Sequence, residues 1–256
     1  MYFNSSSFFV VITQLSQKIQ KIYSYPNNPR VFKALVAAEY YGITIEQTPD
    51  FKMGVDNQTE DFKKLNPNGK VPLLVTSEGP IFESAAIARY IANLGDKSLY
   101  GKTTYEHGLV DQWIDWAAWQ IDLPSSAWLY PIFGFVPEKQ ERTKKAKADI
   151  RKALTILNDH LKARTFLVSE RVTLADIYVS FSLYSLYTTV LDPGFRNAFS
   201  HVNRWFLTCV NQPNFAKHIG QVELAKKMAV AKVNNPRSHP LHSFLLFPFA
   251  HSFSPL

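Results

Sequence analysis

The stretch from Gly69 to Leu94, GKVPLLVTSEGPIFESAAIARYIANL, constrains the fold of this chain more than any other. Pro72 stands where a short apolar run begins, one of the few strand positions that tolerates a residue without an N–H. That run ends in the turn-forming triplet Glu78-Gly79-Pro80, and a second short apolar run follows it. Beyond Glu83 and Ser84, the residues Ile87, Tyr90, Ile91 and Leu94 recur at i, i+3, i+4 and i+7, which gives a helix one buried face. Ser84 opens that helix, where a hydroxyl, free backbone N–H groups and the positive end of the helix dipole favour a carboxylate. The stretch therefore predicts a hairpin running into a helix whose entrance suits a small anion.

Upstream, Lys21–Tyr25 reads as a short strand and Pro26-Asn27-Asn28-Pro29 as a turn. A helix follows, with Phe32, Leu35 and Val36 on its apolar side, Tyr40 near its end and Gly42 as its stop. Ile43–Thr48, ITIEQT, alternates as a half-buried strand does, and Thr59–Leu65 forms a short helix before Asn66-Pro67-Asn68-Gly69 breaks it. Strand, helix, strand, helix, strand, strand, helix implies a mixed sheet with helices on its faces.

After Gly95 no convincing strand recurs. Val110, Ile114, Ala117 and Ile121 make one helical stripe, interleaved with Trp113, Trp116 and Trp119, and Pro124 is expected to bend or break that helix. Ile150, Ala153, Leu154, Leu157 and Leu161 make a second stripe. Val202, Trp205, Phe206 and Cys209 make a third, which places Cys209 in the core as a structural thiol. Thr173-Leu174-Ala175-Asp176 has the spacing of a capping box, Thr at the N-cap and Asp three residues on.

Composition removes several classes. One cysteine in 256 residues excludes a disulfide framework within the chain and suits a reducing, cytoplasmic setting. The net charge of +7 raises the question of a nucleic-acid partner, but much of the excess lies in KQERTKKAKADIRK over 139–152, which reads as a solvated helix face. The apolar run FFVVI at 8–12 is too short for a signal peptide core or a membrane span. The seven histidines show no HxxxH or HxH pair with acidic company, so no metal site is expected, and no GxxxxGK[ST] loop is present.

Together, an NPxGKVP…ES segment, a linker and a helical half carrying TLAD resemble the glutathione transferase fold. The blocks YSYPNNPRVFKALVAAEYYG, GPIFESAAIARYIANL, RTFLVSERVTLADIYV and VNRWFLTCVNQPNF are more specifically similar to the transferase-like region of the gamma subunit of eukaryotic translation elongation factor one. The resemblance implies an α/β, thioredoxin-like domain over 19–95, a linker over 96–104 and an all-helical domain over 105–233. An extension over 1–18 and an unstructured tail over 234–256 flank them.

It further implies Pro72 in a cis peptide, the Val71 backbone beside the cysteinyl part of glutathione, and Glu83 and Ser84 at its γ-glutamyl end, with Lys70 near a carboxylate. The thiol of such a ligand needs a hydroxyl donor beside it, and Tyr25 is the first choice among Tyr23, Ser24 and Tyr25. Each of these has a plain structural alternative. Pro72 can shape a loop, Glu83-Ser84 can cap a helix, and Tyr25 can pack between strand and helix.

Two functions are expected from this reading. The first is a scaffold in translation elongation that docks the nucleotide-exchange subunit and also aminoacyl-tRNA synthetases, with exposed aromatics such as Trp119, Trp128, Tyr130 and Phe133 as anchors. A homodimer is compatible with the fold, and no direct nucleic-acid or membrane partner is expected. The alternative is a working transferase that uses glutathione, with no other cofactor.

Overall fold

A computed structural model describes residues 19–231. The expected extension over 1–18 and tail over 234–256 lie outside the described residues.

Strand β1 (Ile19–Tyr23) is followed by a turn through Asn27, at φ 59°, and then by α1 (Pro29–Glu39). Asn28 caps α1. Its Oδ1 accepts from the Arg30 N–H at 3.0 Å, and Pro29 takes the first helical position, where a missing N–H costs nothing. The alternating segment Ile43–Thr48 does not extend into a strand. It touches β1 through a single parallel bridge, Ile22 to Gln47, with Ile22 N donating to Glu46 O at 2.8 Å and Thr48 N to Ile22 O at 3.0 Å. Ile43 and Ile45 are nevertheless buried, so the alternation reports burial without a ladder.

Thr59 caps α2 (Glu60–Leu65), its hydroxyl accepting from Phe62 N at 3.3 Å. Strands β2 (Leu73–Thr76) and β3 (Gly79–Phe82) form the expected hairpin, and β2 pairs antiparallel with both β1 and β3. Thr76 closes the turn: its hydroxyl accepts from Glu78 N and Gly79 N at 3.1 and 3.2 Å and donates to Gly79 O at 2.9 Å. Pro80 sits on the edge strand, where no neighbour asks for its N–H. Helix α3 (Ser84–Leu94) buries Ile87 and Ile91 as its periodicity requires.

The helical half comprises α4 (Thr104–Ala117), a π turn (Ala118–Asp122), α5 (Leu123–Ile132), α6 (Gln140–His160), α7 (Leu174–Thr189), α8 (Pro193–Arg196), α9 (Ser200–Val210) and α10 (Pro213–Ile219). All four residues of the first stripe, Val110 to Ile121, are fully buried. Pro124 stands at the second position of α5, and the α-helix before it gives way to the π turn. The π turn widens the backbone just ahead of it, relieving the clash its ring would make with the Gln120 carbonyl four residues back. One contiguous core runs from Ile22 and α1 through α3 into α4, α6, α7 and α9, and a smaller one of Phe51, Phe62 and Leu73 lies on the other face of the sheet.

Two buried charges organise this packing. Asp176, fully buried at the start of α7, closes the capping box with Thr173, whose N and hydroxyl both donate to Oδ2 at 2.9 Å. Its Oδ1 accepts from Leu167 N and from the Trp205 indole of α9, each at 2.9 Å. Burial pushes its carboxyl above the ordinary carboxylate range, and these donors pull the other way. The second charge is Lys33 of α1, whose side chain is only 2% exposed. Its ammonium donates to Ser182 of α7 at 3.0 Å and to Asp122 of the π turn at 3.3 Å, and lies 3.4 Å from the Tyr178 ring centre.

Asp176→Ala would strand the Leu167 and Thr173 N–H groups and the Trp205 indole without water, and is expected to lower stability in urea unfolding by about 3 kcal/mol or more. Asp122→Ala should cost about 1–3 kcal/mol by unpairing Lys33, trimmed because the Asp122 carboxylate is 25% exposed. Lys33→Met combined with Asp122→Ala should be more stable than Asp122→Ala alone, since no buried charge is then left over. A double mutant no more stable than the single one would contradict this account of the junction.

Candidate functional site

The Val71–Pro72 peptide is cis, and the loop that carries it is fastened by two buried asparagines. The Asn57 amide donates to Gly69 O at 2.6 Å and the Asn66 amide to Lys70 O at 2.7 Å. Gly69 answers two demands at once: it adopts φ +58°, and a Cβ there would come within 3.2 Å of the Asn57 carbonyl.

The strand register then gathers the expected residues. Tyr23 lies opposite Leu73 and Leu73 opposite Phe82, so Tyr25, Pro72 and Glu83 all leave the same end of the sheet. Glu83 takes φ 70° and ψ 120°, a conformation that costs a non-glycine residue about 1–3 kcal/mol and persists only where neighbours impose it. Its exposed carboxylate makes no capping bond, so Glu83 does not cap α3 with its side chain. Among the described residues neither that carboxylate nor the half-buried Ser84 hydroxyl has a hydrogen-bond partner, and Lys70, two residues before Pro72, is exposed.

The three hydroxyls considered for a thiol partner differ sharply in surroundings. Tyr23 packs on the far face of the sheet, edge to face with Phe62 at 6.1 Å. The Ser24 hydroxyl is buried and accepts from the Asn28 amide at 2.9 Å, so it serves the turn before α1. Tyr25 is half-buried, and burial pushes its phenol above the ordinary value, opposed by the positive charge of Arg30.

Arg30 and Tyr130 complete this end of the molecule, and the sequence marked neither as part of the site. Tyr130 of α5 is pushed up by burial, yet its polar neighbour Ser126 and the charges of Arg30 and Lys70 more than offset that, leaving its phenol below the ordinary value. Arg30 is held above its ordinary value: burial opposes its charge, but Tyr130, Asp122 and Tyr25 outweigh it. These effects place Tyr25, Arg30, Tyr130 and Lys70 in one electrostatic neighbourhood drawn from both halves of the chain. Beside it opens a cleft of about 310 Å³ lined by Arg30, Ala118, Trp119, Asp122, Leu123 and Ser126. None of Tyr25, Lys70, Val71, Pro72, Glu83 or Ser84 lines that cleft. Arg30 follows Pro29 at a helix start and Tyr130, expected only as an anchor aromatic, sits in an apolar helix, positions that do not point to each other until the halves are docked.

Of the four aromatics expected as anchors, Trp128 is buried, Tyr130 and Phe133 are half-buried, and Trp119 projects with 69% of its surface exposed.

Comparison with known proteins agrees with this architecture. The family described as "Glutathione S-transferase, N-terminal domain" matches residues 20–93, and "Glutathione S-transferase, C-terminal domain" matches 121–213. Among curated relatives, elongation factor 1-gamma 1 of Oryza sativa subsp. japonica is 42% identical over 84% of this chain and 54% of its own length. Elongation factor 1-gamma-A of Xenopus laevis is 45% identical over 81% of this chain and 48% of its own length. The chain thus spans about half the length of the curated relatives it matches. Of solved structures, the transferase-like domain of elongation factor 1-gamma from Saccharomyces cerevisiae aligns with TM-score 0.71 at 19% identity, covering 84% of this chain and 99% of that one. Poplar glutathione transferase F1 aligns with TM-score 0.71 at 25% identity, covering 79% of this chain and 96% of that one. By both halves of its fold and by its curated relatives, the chain belongs to the elongation factor 1-gamma family, of which it carries the glutathione transferase-like region.

Proposed function

We propose that the chain acts in translation elongation, in the cytoplasm, as a docking scaffold that holds the nucleotide-exchange subunit of the elongation complex and also receives aminoacyl-tRNA synthetases. The observation that carries this reading is the identity of 42–45% to elongation factor 1-gamma proteins over more than four-fifths of the chain. Physical support comes from large apolar side chains left outside the core, Trp119 and Leu123 among them, which offer anchors to a partner.

A second reading, glutathione conjugation, is favoured by one group of observations. The cis Pro72 loop, the unengaged Glu83 carboxylate and Ser84 hydroxyl, and the N-terminus of α3 form a place where an amino group and a carboxylate could dock together. Binding there is not yet catalysis. A thiol whose ordinary pKa lies near 8.5 must be ionised, and Tyr25, with its own phenol pushed up by burial, is the hydroxyl offered at the position where related transferases place theirs.

Mixed with the purified exchange subunit at low salt, the folded chain is expected to co-elute with it as one species. Separate elution, with the helical spectrum intact, would sink the docking reading. For the second reading, glutathione and a chlorinated aromatic electrophile provide the check. Conjugation is expected at the uncatalysed rate. A rate more than about tenfold higher that collapses in Tyr25→Phe would instead establish a working transferase.

A further inference from the structure

The π turn leaves an unusual surface. Trp119 and Leu123, one helical turn apart, are 69% and 61% exposed, and they form a ridge between the cleft beside Arg30 and a second groove. That groove, about 370 Å³, has one apolar wall made by Trp119, Leu123, Pro124 and Ala127. Its other wall is the start of α6, with Arg142 and Lys145. Four of the six Lys and Arg residues of α6 fall into two sets. Lys147 and Arg151 are occupied over the rings of Trp128 and Phe195, at 5.3 and 4.3 Å. Arg142 has no partner among the described residues, and Lys145 is held only by its exposed neighbour Asp149 at 2.7 Å. An exposed pair of that kind is weak and exchanges readily for another carboxylate.

We propose that this groove is the docking site for a segment of a partner protein that presents Leu or Phe side chains to Trp119 and Leu123 and carboxylates to Arg142 and Lys145. The proposal rests on the docking reading above and names its surface. Charge complementarity selects the occupant. An apolar partner without acids would leave Arg142 desolvated and unpaired, and a nucleic-acid strand would meet Asp149 inside the groove and an apolar wall opposite its phosphates. A second copy docking the same groove would bring like-charged walls together. The apolar ridge supplies the anchor, and the two cations set orientation and salt dependence.

The positions are exposed enough that Trp119→Ala, Leu123→Ser and the pair Arg142→Glu with Lys145→Glu should fold, which circular dichroism verifies. Two probes are titrated against the whole chain: the purified exchange subunit, and a synthetic helical peptide with Leu and Phe on one face flanked by Glu. The peptide should bind, shifting tryptophan emission, and its affinity should fall by about tenfold or more in Trp119→Ala and in the charge-reversed variant. A peptide with Lys in place of Glu should not bind. The exchange subunit should show the same losses. If it binds wild type and all variants alike, the groove proposal fails while the docking reading stands. If it binds none of them, the docking reading fails and the peptide alone decides the groove. An acidic peptide that does not bind, or binds all variants equally, overturns the proposal. So does tighter binding of single-stranded oligouridylate that charge reversal abolishes, or self-association that Leu123→Ser abolishes.

Discussion

An ammonium group that is almost wholly enclosed must have its partners in place, because the cost of burying it unpaired exceeds what any single apolar contact returns. Lys33 is such a group, and its partners come from the other half of the chain: Ser182 and the Tyr178 ring on α7, and Asp122 at the end of the π turn. The sheet-bearing half therefore cannot turn against the helical half without exposing or orphaning that charge. Asp122 transmits the constraint outward. The same carboxylate lines the cleft and lies close enough to Arg30 to stabilise its charge, so the position of the cleft floor follows from the satisfaction of Lys33. Asp176 does the equivalent work within the helical half, drawing the 167 segment, the start of α7 and the indole of α9 to one carboxyl group.

Much of this was legible in the chain wherever a residue's role depends on near neighbours in sequence. The hairpin of Leu73–Thr76 and Gly79–Phe82, the buried face of α3, the three helical stripes, the Thr173–Asp176 cap and the core position of Cys209 all rest on local periodicity or local hydrogen bonding. Ile43–Thr48 shows where that logic stops. Alternation there reports which side chains face inward, while pairing depends on whether a neighbouring strand runs alongside for more than one residue, and β1 does not. Pro124 marks the same boundary, since a proline in a helical pattern says that the backbone must adapt but not that a π turn will do it.

The candidate site divides along the same line. Pro72, Glu83, Ser84 and Tyr25 were identifiable because they lie next to recognisable local features, and the strand register brings them to one end of the sheet. Asn57 and Asn66, which fasten the loop under Pro72, were not, since a buried asparagine bonding a carbonyl 12 or 4 residues away looks in sequence like any turn residue. Arg30 and Tyr130 were hidden for a stronger reason. Their effects on each other exist only after two segments a hundred residues apart have packed, and Tyr130 stood out in the chain only as one of several aromatics expected to anchor a partner. Trp119 was one of many aromatics until its exposure set it apart from Trp128.

The π turn makes orientation in this part of the molecule a matter of residue count. Each residue advances an α-helix by about 100°, so a chain lacking one residue within 118–122 would regain ordinary helical spacing and swing everything after it by that angle. Leu123 would rotate away from Trp119, Ser126 and Tyr130 would leave the Arg30 side, and Asp122 would no longer reach Lys33. A one-residue gap here between related chains would thus be a change of which face looks outward, and length in this segment is a more telling character than the identity of its exposed side chains.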